Sequence, residues 1–241
     1  VSGVRHWRTG RFDFFLVNPP LVRIVATVPA MLAGAETNHS SLSDGSRSRP
    51  ELEAGHRFVK QNEEDFFGYF VLGRWVCILL SLLGGWVCFR WARDLYGQYA
   101  GLLALVLWCF SPSILAHGSL ISADAAAASL GVVAAYVFWR WLRSPSWSCV
   151  LSAGLTLGLA ELTKSTWIVL FVLWPLLWSA WTWRNPETER RVLGTRGQRQ
   201  GGRRWEACQL VVILVLGLYA LNLGCGFEGS FQRLGDYQFV S

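Results

Sequence analysis

The sequence predicts an all-α fold: a polytopic bundle of transmembrane helices, preceded by one interfacial helix and an extracytoplasmic loop. Three observations predict it. Apolar residues make up 52% of the chain, charged residues only 16%, and fourteen residues are tryptophan, a balance too greasy and too aromatic for an ordinary soluble domain. From residue 69 onward the chain is a series of apolar runs punctuated by Pro, Gly or charged residues, and runs of about twenty such residues are what a bilayer core requires. The arginines gather in the short turns between those runs. A net charge of +6 would suggest nucleic acid in a soluble chain, but here it reads as membrane topology, and no nucleic-acid partner is expected.

The first 68 residues form the expected extracytoplasmic loop. Val1 is not a methionine, and no charged segment followed by an apolar core precedes the first structured stretch, so no signal peptide is read and the chain is expected to be truncated at its start. Residues 5–15 are basic and aromatic. Asn18-Pro19-Pro20 then interrupts the backbone, because proline lacks a donor and biases the residue before it away from helix. Residues 21–33 are apolar apart from Arg23 and Thr27, too short to span and therefore expected as an interfacial helix. Residues 34–67 are rich in Ser, Glu and Asp without sustained apolar periodicity, which reads as an aqueous loop.

A six-span domain is expected over 69–226, with spans at 69–91, 100–117, 123–142, 149–163, 167–183 and 207–226. Residues 227–241 begin a further extracytoplasmic loop that is expected to be cut short. Orientation follows from arginine. The connection 184–204 carries seven arginines against two glutamates, and Arg90/Arg93 and Arg140/Arg143 mark two other turns. Alternating spans place all three on one side, the cytoplasm. A reporter enzyme fused within 184–204 is therefore expected to be active only in the cytoplasm, and one fused near residue 43 only outside. The reverse pattern would overturn the assignment of sides.

The opposite side then collects the unusual polar residues: Asn18, Arg23, Arg74, His117, Asp124, Glu161, Lys164 and Arg233. Asp124 is the only acid between Asp94 and Glu161, and a carboxylate between two membrane-length segments should face a wet cavity or a partner. The preferred reading is functional; the alternative is a helix N-terminal carboxylate favoured by the dipole, with Ser122 as cap. Lys164 ends a small-residue helix containing Gly154, Gly158 and Ala160. It reads as a functional cation or as a lysine snorkelling to the interface, with Glu161 as a simple pairing partner. Arg74 also reads as a snorkelling side chain, and His117 beside Gly118 as a helix-end histidine. Trp167, Trp174, Trp178, Trp181 and Trp183 read as interface and packing aromatics, and Pro175 as a local kink. The six cysteines lie mostly in apolar runs without CxxC spacing, which points away from a disulfide framework or a zinc site.

Taken in order, several segments resemble a known family: Asn18-Pro19-Pro20-Leu21, Arg74, Ala92-Arg93-Asp94-Leu95-Tyr96-Gly97, Ala100-Gly101-Leu102-Leu103-Ala104, Ser111-Pro112, Asp124 and Leu162-Thr163-Lys164. The sequence is similar to the polytopic GT-C glycosyltransferases related to dolichyl-phosphate-mannose protein mannosyltransferases and to the lipid A aminoarabinose transferase. The resemblance implies transfer of a sugar from a polyprenyl-phosphate carrier to an extracytoplasmic protein or glycolipid acceptor, with inversion at the anomeric carbon. It implies Asp124 as the catalytic carboxylate, Lys164 as the cation facing the carrier phosphate, and Arg74 and Arg23 as helpers in neutralising that phosphate. His117 and Glu161 remain as accessory candidates. No cofactor and no metal ligand are assigned, and dependence on a divalent ion is left open. The expected setting is a multi-pass protein of a bacterial plasma membrane, among membrane lipids, with its site facing outward.

The departures from the family are specific. Its principal catalytic aspartate lies a few tens of residues before the Pro-Pro element, and Asp13 is too close to Pro19 to be that residue. His117-Gly118 stands where many relatives have Ser-Arg, Asn18 where many have His, and Glu161 where an apolar residue is usual. The chain is therefore expected to be a piece of an enzyme that lacks the upstream aspartate. Two other classes stay open: a non-catalytic membrane scaffold, in which Asp124 and Lys164 would point apart, and a transporter, whose polar residues would sit near the bilayer midplane.

Overall fold

The computed structural model describes residues 1–10, 12, 18–36, 50–185, 202–228 and 230, and all regular structure among them is helical. The helices are α1 (Ser2–Thr9), α2 (Leu21–Leu32), α3 (Pro50–Gln61), α4 (Phe66–Tyr96), α5 (Gln98–Cys109), α6 (Pro112–His117), α7 (Ala123–Arg143), α8 (Trp147–Glu161), a 3-10 turn (Ser165–Val169) running into α9 (Leu170–Arg184), and α10 (Arg203–Gly224). Among the described residues four segments are long and apolar enough to cross a membrane: Phe66–Tyr96, Ala123–Arg143, Ser165–Arg184 and Arg203–Gly224. The segment 21–33, expected as an interfacial helix, forms the helix α2, packed on α4.

The two remaining expected spans are shorter helices whose contacts show how far they reach. Ser111-Pro112 splits 100–117 into α5 and α6, because proline at the first position of α6 has no N–H to continue the ladder. Gly101 lies against the Phe89 carbonyl, the Trp108 indole donates to the Ser81 carbonyl at 3.1 Å, and Ser119 meets Arg74. Contacts thus descend α4 step by step, and α5 with α6 returns the chain from the Tyr96 end to the Arg74 end. The fifteen residues of α8 extend about 22 Å. They still carry the chain from Arg143 back to the level of Asp124, since Lys164, just beyond α8, touches Asp124.

The core lies between α7, α8, α9 and α10, around Leu130, Phe138, Trp141, Leu157, Trp174 and Ile213. Small residues allow close approach: a Cβ on Gly158 would meet Ala220 and the Gly217 carbonyl, and one on Gly154 would meet Leu216. Without a hydrophobic drive between apolar helices, contact of this kind is what holds neighbours together. At the arginine-bearing end the Trp141 indole donates to the buried Gln209 Oε1 at 3.0 Å, and Phe138 stacks on Trp174 at 4.3 Å.

The stretch 34–67, expected as a loop without periodicity, contains the helix α3, and a further helix, α1, covers part of the basic and aromatic start of the chain. In α3 the buried positions Ala54 and Phe58, followed by Asn62, recur every four residues, a sparse stripe that charged neighbours obscure in the sequence. Asn62 then clamps the segment after α2: its amide donates to the Glu36 carbonyl at 2.9 Å and its Oδ1 accepts from the Glu36 N–H at 3.0 Å. Arg57 and Glu53 pair across one turn of α3 at 2.5 Å. Residues 37–49 of the expected aqueous loop 34–67, residues 186–201 of the arginine-rich connection and the tail beyond residue 230 lie outside the described residues.

Candidate functional site around Asp124 and Lys164

Three chain reversals meet at one end of the bundle: the turn 118–122 before α7, the exit from α8 at 162–164, and the Pro19-Pro20 entry to α2. Two of them are joined directly. The Leu21 N–H, an orphan donor at the start of α2, reaches the Leu162 carbonyl at 3.1 Å, so the Pro-Pro element and the Leu162-Thr163-Lys164 element form one structural unit.

Asp124 sits in the first turn of α7, where a carboxylate gains from the helix dipole. Its residue is exposed, and the three alanines after it are buried, so the first turn is packed on its inner side and open on the other. Ser122 occupies the N-cap with extended backbone, yet its hydroxyl makes no capping hydrogen bond. It is a buried oxygen without a partner among the described residues, on the wall of the cavity described below. The alternative reading of Asp124, with Ser122 as cap, is corrected on that point: Ser122 holds the N-cap position without a side-chain hydrogen bond.

Lys164 follows α8 after a tight exit. Leu162 closes the helix, buried Thr163 turns its hydroxyl back to the Ala160 carbonyl at 2.6 Å, and Lys164 takes extended backbone. That turn aims Lys164 Nζ at Asp124 Oδ1, 2.9 Å away. The side chains are 39% and 51% exposed, so this is a solvated ion pair. Such pairs are worth at most about 1 kcal/mol and can exchange partners.

Trp167 sets the register of the pair. Its indole N–H donates to the Ala127 carbonyl at 3.2 Å, and its ring lies where a side chain on Gly131 would have to go. Asp124 with Lys164 and Ala127 with Trp167 are therefore two rungs between the same two segments. Sequence reading placed Trp167 among interface aromatics and gave Gly131 no role. A small residue one helical turn beyond Ala127 is the only trace of this contact in the sequence.

A cavity of about 450 Å³ opens beside Asp124, walled by α1, α2, the Asn18-Pro19 corner, Phe58, the first turn of α4 and residues 121–124. Asn18, Arg23 and Asp124 all line it, and its size falls within the range of small-molecule sites. Arg23 is half-buried, and that burial pushes its guanidinium down to about 10, which leaves it cationic at neutral pH. Gly3 of α1 lies directly against the Arg23 carbonyl, so α1 forms a close lid on this turn of α2.

The other candidates are placed differently. Arg74 donates from Nε to the Ser119 carbonyl at 2.9 Å and from Nη2 to Ser119 Oγ at 3.0 Å, and lies over the Phe70 ring. It thus braces the turn that delivers Asp124 and does not line the cavity. His117 ends α6 near enough for its charge to act on Asp124. Glu161 does not pair with Lys164. It is 2% exposed on the buried stripe of α8 that includes Val150, Gly154 and Leu157, with Oε1 unpartnered among the described residues. The chain leaves the helix at Leu162, so residues 161 and 164 never share a helical face. Asp13 and Arg233 lie outside the described residues.

The arrangement suits chemistry at an anion. Asp124 and Arg23 line a largely apolar cavity, Lys164 reaches Asp124 without lining it, and all three lie at one end of the bundle rather than at mid-height. Among the described residues no three His, Cys, Asp or Glu side chains cluster in a way that would hold a metal ion. No curated protein and no solved structure matches the chain. Residues 69–192 match the model of the dolichyl-phosphate-mannose-protein mannosyltransferase family. That segment runs from the first turns of α4 through the end of α9, includes Arg74, His117, Asp124, Glu161 and Lys164, and covers just over half of the 241 residues. With four membrane-length helices and a match of this extent, the chain belongs to the dolichyl-phosphate-mannose-protein mannosyltransferase family, a family of membrane glycosyltransferases.

Proposed function

We propose that the chain forms the donor site of a GT-C type glycosyltransferase, which moves a sugar from a polyprenyl-phosphate carrier to a hydroxyl of a protein or glycolipid on the extracytoplasmic side. The observation that carries this reading is the open Asp124–Lys164 pair at 2.9 Å beside a cavity of about 450 Å³ that also holds Arg23. A donor phosphate needs cations, and the acceptor hydroxyl needs a base, because charge develops on both oxygens in the transition state.

In this reading Lys164 exchanges Asp124 for a phosphate oxygen when the donor binds, and Arg23 faces the phosphate from the α2 side. Arg74, committed to Ser119, keeps the Asp124 turn in place. Asp124, relieved of its ammonium partner, takes the proton of the acceptor hydroxyl. The hydroxyl oxygen forms the new bond at the anomeric carbon from the face opposite the phosphate. The bond between that carbon and the phosphate oxygen breaks, its electron pair stays on the lipid phosphate, and the configuration inverts. His117 and Glu161 are accessory in this scheme, His117 through its proximity to Asp124 and Glu161 through the packing of α8.

Two features argue against the other classes. In a scaffold nothing requires Asp124 and Lys164 to meet, whereas here they touch across forty residues of sequence. A transport site would lie at mid-height between the helices, and the converging polar residues lie at one end. The test is to embed the chain in nanodiscs, supply a polyprenyl-phosphate hexose labelled in the sugar, and measure retained donor and label passed to membrane acceptors. Retention that unlabelled polyprenyl phosphate competes away is the expected result. Neither retention nor transfer would overturn the reading.

A further inference from the structure

At the end of the bundle opposite Asp124, four arginines stand on the last turns of α4 and α7. Arg90 and Arg93 flank Asp94, with Nε atoms 3.7 and 3.9 Å from its Oδ1. These are ion-pair separations beyond hydrogen-bond length, and both side chains stay more than a third exposed. The other carboxylate oxygen of Asp94 is held by the Tyr136 hydroxyl, which donates at 2.7 Å. Tyr136 stacks on Trp139 at 5.9 Å, and Trp91 closes the group at 6.0 Å from Tyr136 and 6.1 Å from Trp139. Arg140 lies over the Tyr136 ring at 5.9 Å and Arg143 over Trp139 at 5.0 Å. Two guanidinium groups thus lie over one aromatic platform, and two more stand beside the carboxylate that Tyr136 holds, a formal charge of +3 for these residues.

We propose that this platform binds the phosphate of an anionic phospholipid headgroup from the adjacent leaflet. Topology alone requires positive charge in a turn; it does not require that the charges be gathered on an aromatic wall around a carboxylate fixed by a tyrosine. Guanidinium stacked on an aromatic ring keeps its edge donors pointing outward, and that planar fork matches phosphate oxygens two at a time. The position specifies the source of the phosphate. The arginines sit on the ends of two helices long enough to cross a membrane, beside Trp and Tyr, the residues that favour headgroup depth. Each arginine near an anionic surface adds roughly a factor of five to lipid affinity. The site is independent of the donor cavity, and its ligand differs from a polyprenyl-phosphate sugar in needing no sugar.

The experiment places the chain in nanodiscs of phosphatidylglycerol and phosphatidylcholine in equal parts and identifies by native mass spectrometry the lipid that stays bound on release. Preferential retention of phosphatidylglycerol, lost at high salt, is expected. The paired change Arg140→Gln with Arg143→Gln should weaken retention by roughly twentyfold to thirtyfold. Because the lipid preference is read on the unaltered chain, the test survives a variant that fails to fold. Equal retention of phosphatidylcholine would overturn the proposal. So would a folded double variant that holds phosphatidylglycerol as well as the unaltered chain, or displacement of the lipid by inorganic phosphate at matched concentration.

Discussion

Asp124→Asn is expected to lower sugar transfer by about 10²- to 10⁴-fold, the range a positioned general base contributes, while donor retention stays equal or improves. The two halves of this expectation have opposite causes. Transfer falls because asparagine cannot accept the acceptor's proton. Retention does not fall because the carboxylate competes with the donor phosphate for Lys164, 2.9 Å away, and its charge repels that phosphate. Removing it leaves the ammonium open to the donor. Lys164→Ala should show the reverse pattern: weaker retention, and a loss of transfer that follows from lost donor. A merely structural pair would behave otherwise. With side chains 39% and 51% exposed, it would contribute at most about 1 kcal/mol to folding, and both variants would look alike. Combining the two changes in a double-mutant cycle separates the cases, because residues in direct contact that serve one reaction are strongly non-additive. Equal and measurable transfer by Asp124→Asn and the unaltered chain would remove Asp124 from the chemistry.

The convergence of Asp124 and Lys164 was legible because both residues interrupt apolar runs. A charge at such a break must find water or a partner, and arginine counting placed both breaks on one side. Arg23 and Asn18 were legible for the same reason, as polar residues in a short apolar segment beside Pro19-Pro20. The particular partners were not. Arg74 and Ser119 meet only because α5 and α6 double back along α4, a register set by Trp108 against Gly84 and Gly85. Glu161 stood three residues from Lys164 in sequence, but the turn at Leu162 and Thr163 separates them. Spacing measures proximity only while the helix continues.

The boundaries of the apolar helices follow the same logic. The start of α7 at Ala123 and the end of α9 at Arg184 lie within a residue of where punctuation put them, because Ser122-Ala123-Asp124 and Arg184-Asn185 are chemical stops. α1 and α3 were missed because their apolar stripes are two or three residues wide and make sense only against α2 and the start of α4, where Val4, Ala30, Ala54 and Phe58 become buried. Helical stability in such short segments comes from tertiary packing, which local periodicity does not report.

Gly131→Leu should reproduce the donor-binding defect of Lys164→Ala without touching either charged residue. In the structure the Trp167 ring fills the space above Gly131 and its N–H is bonded to the Ala127 carbonyl. A branched side chain at residue 131 would overlap that ring, and the indole would have to leave, carrying the 3-10 turn Ser165–Val169 with it. Lys164 lies one residue ahead of that turn, so its ammonium loses the position opposite Asp124. A displacement of about 1 Å at a reacting centre can cost on the order of 10²-fold, and transfer should fall by about that much. The bundle itself should persist, because the α8 and α10 contacts at Gly154 and Gly158 lie on other surfaces. Trp167→Ala is the complementary variant: it removes the staple without adding bulk, and should weaken donor retention less than Gly131→Leu does. Pairing Gly131→Leu with Trp167→Ala should then recover part of the loss, since the ring that the leucine displaces is gone. Additive losses in the paired variant would show that Trp167 does not set the register of Lys164.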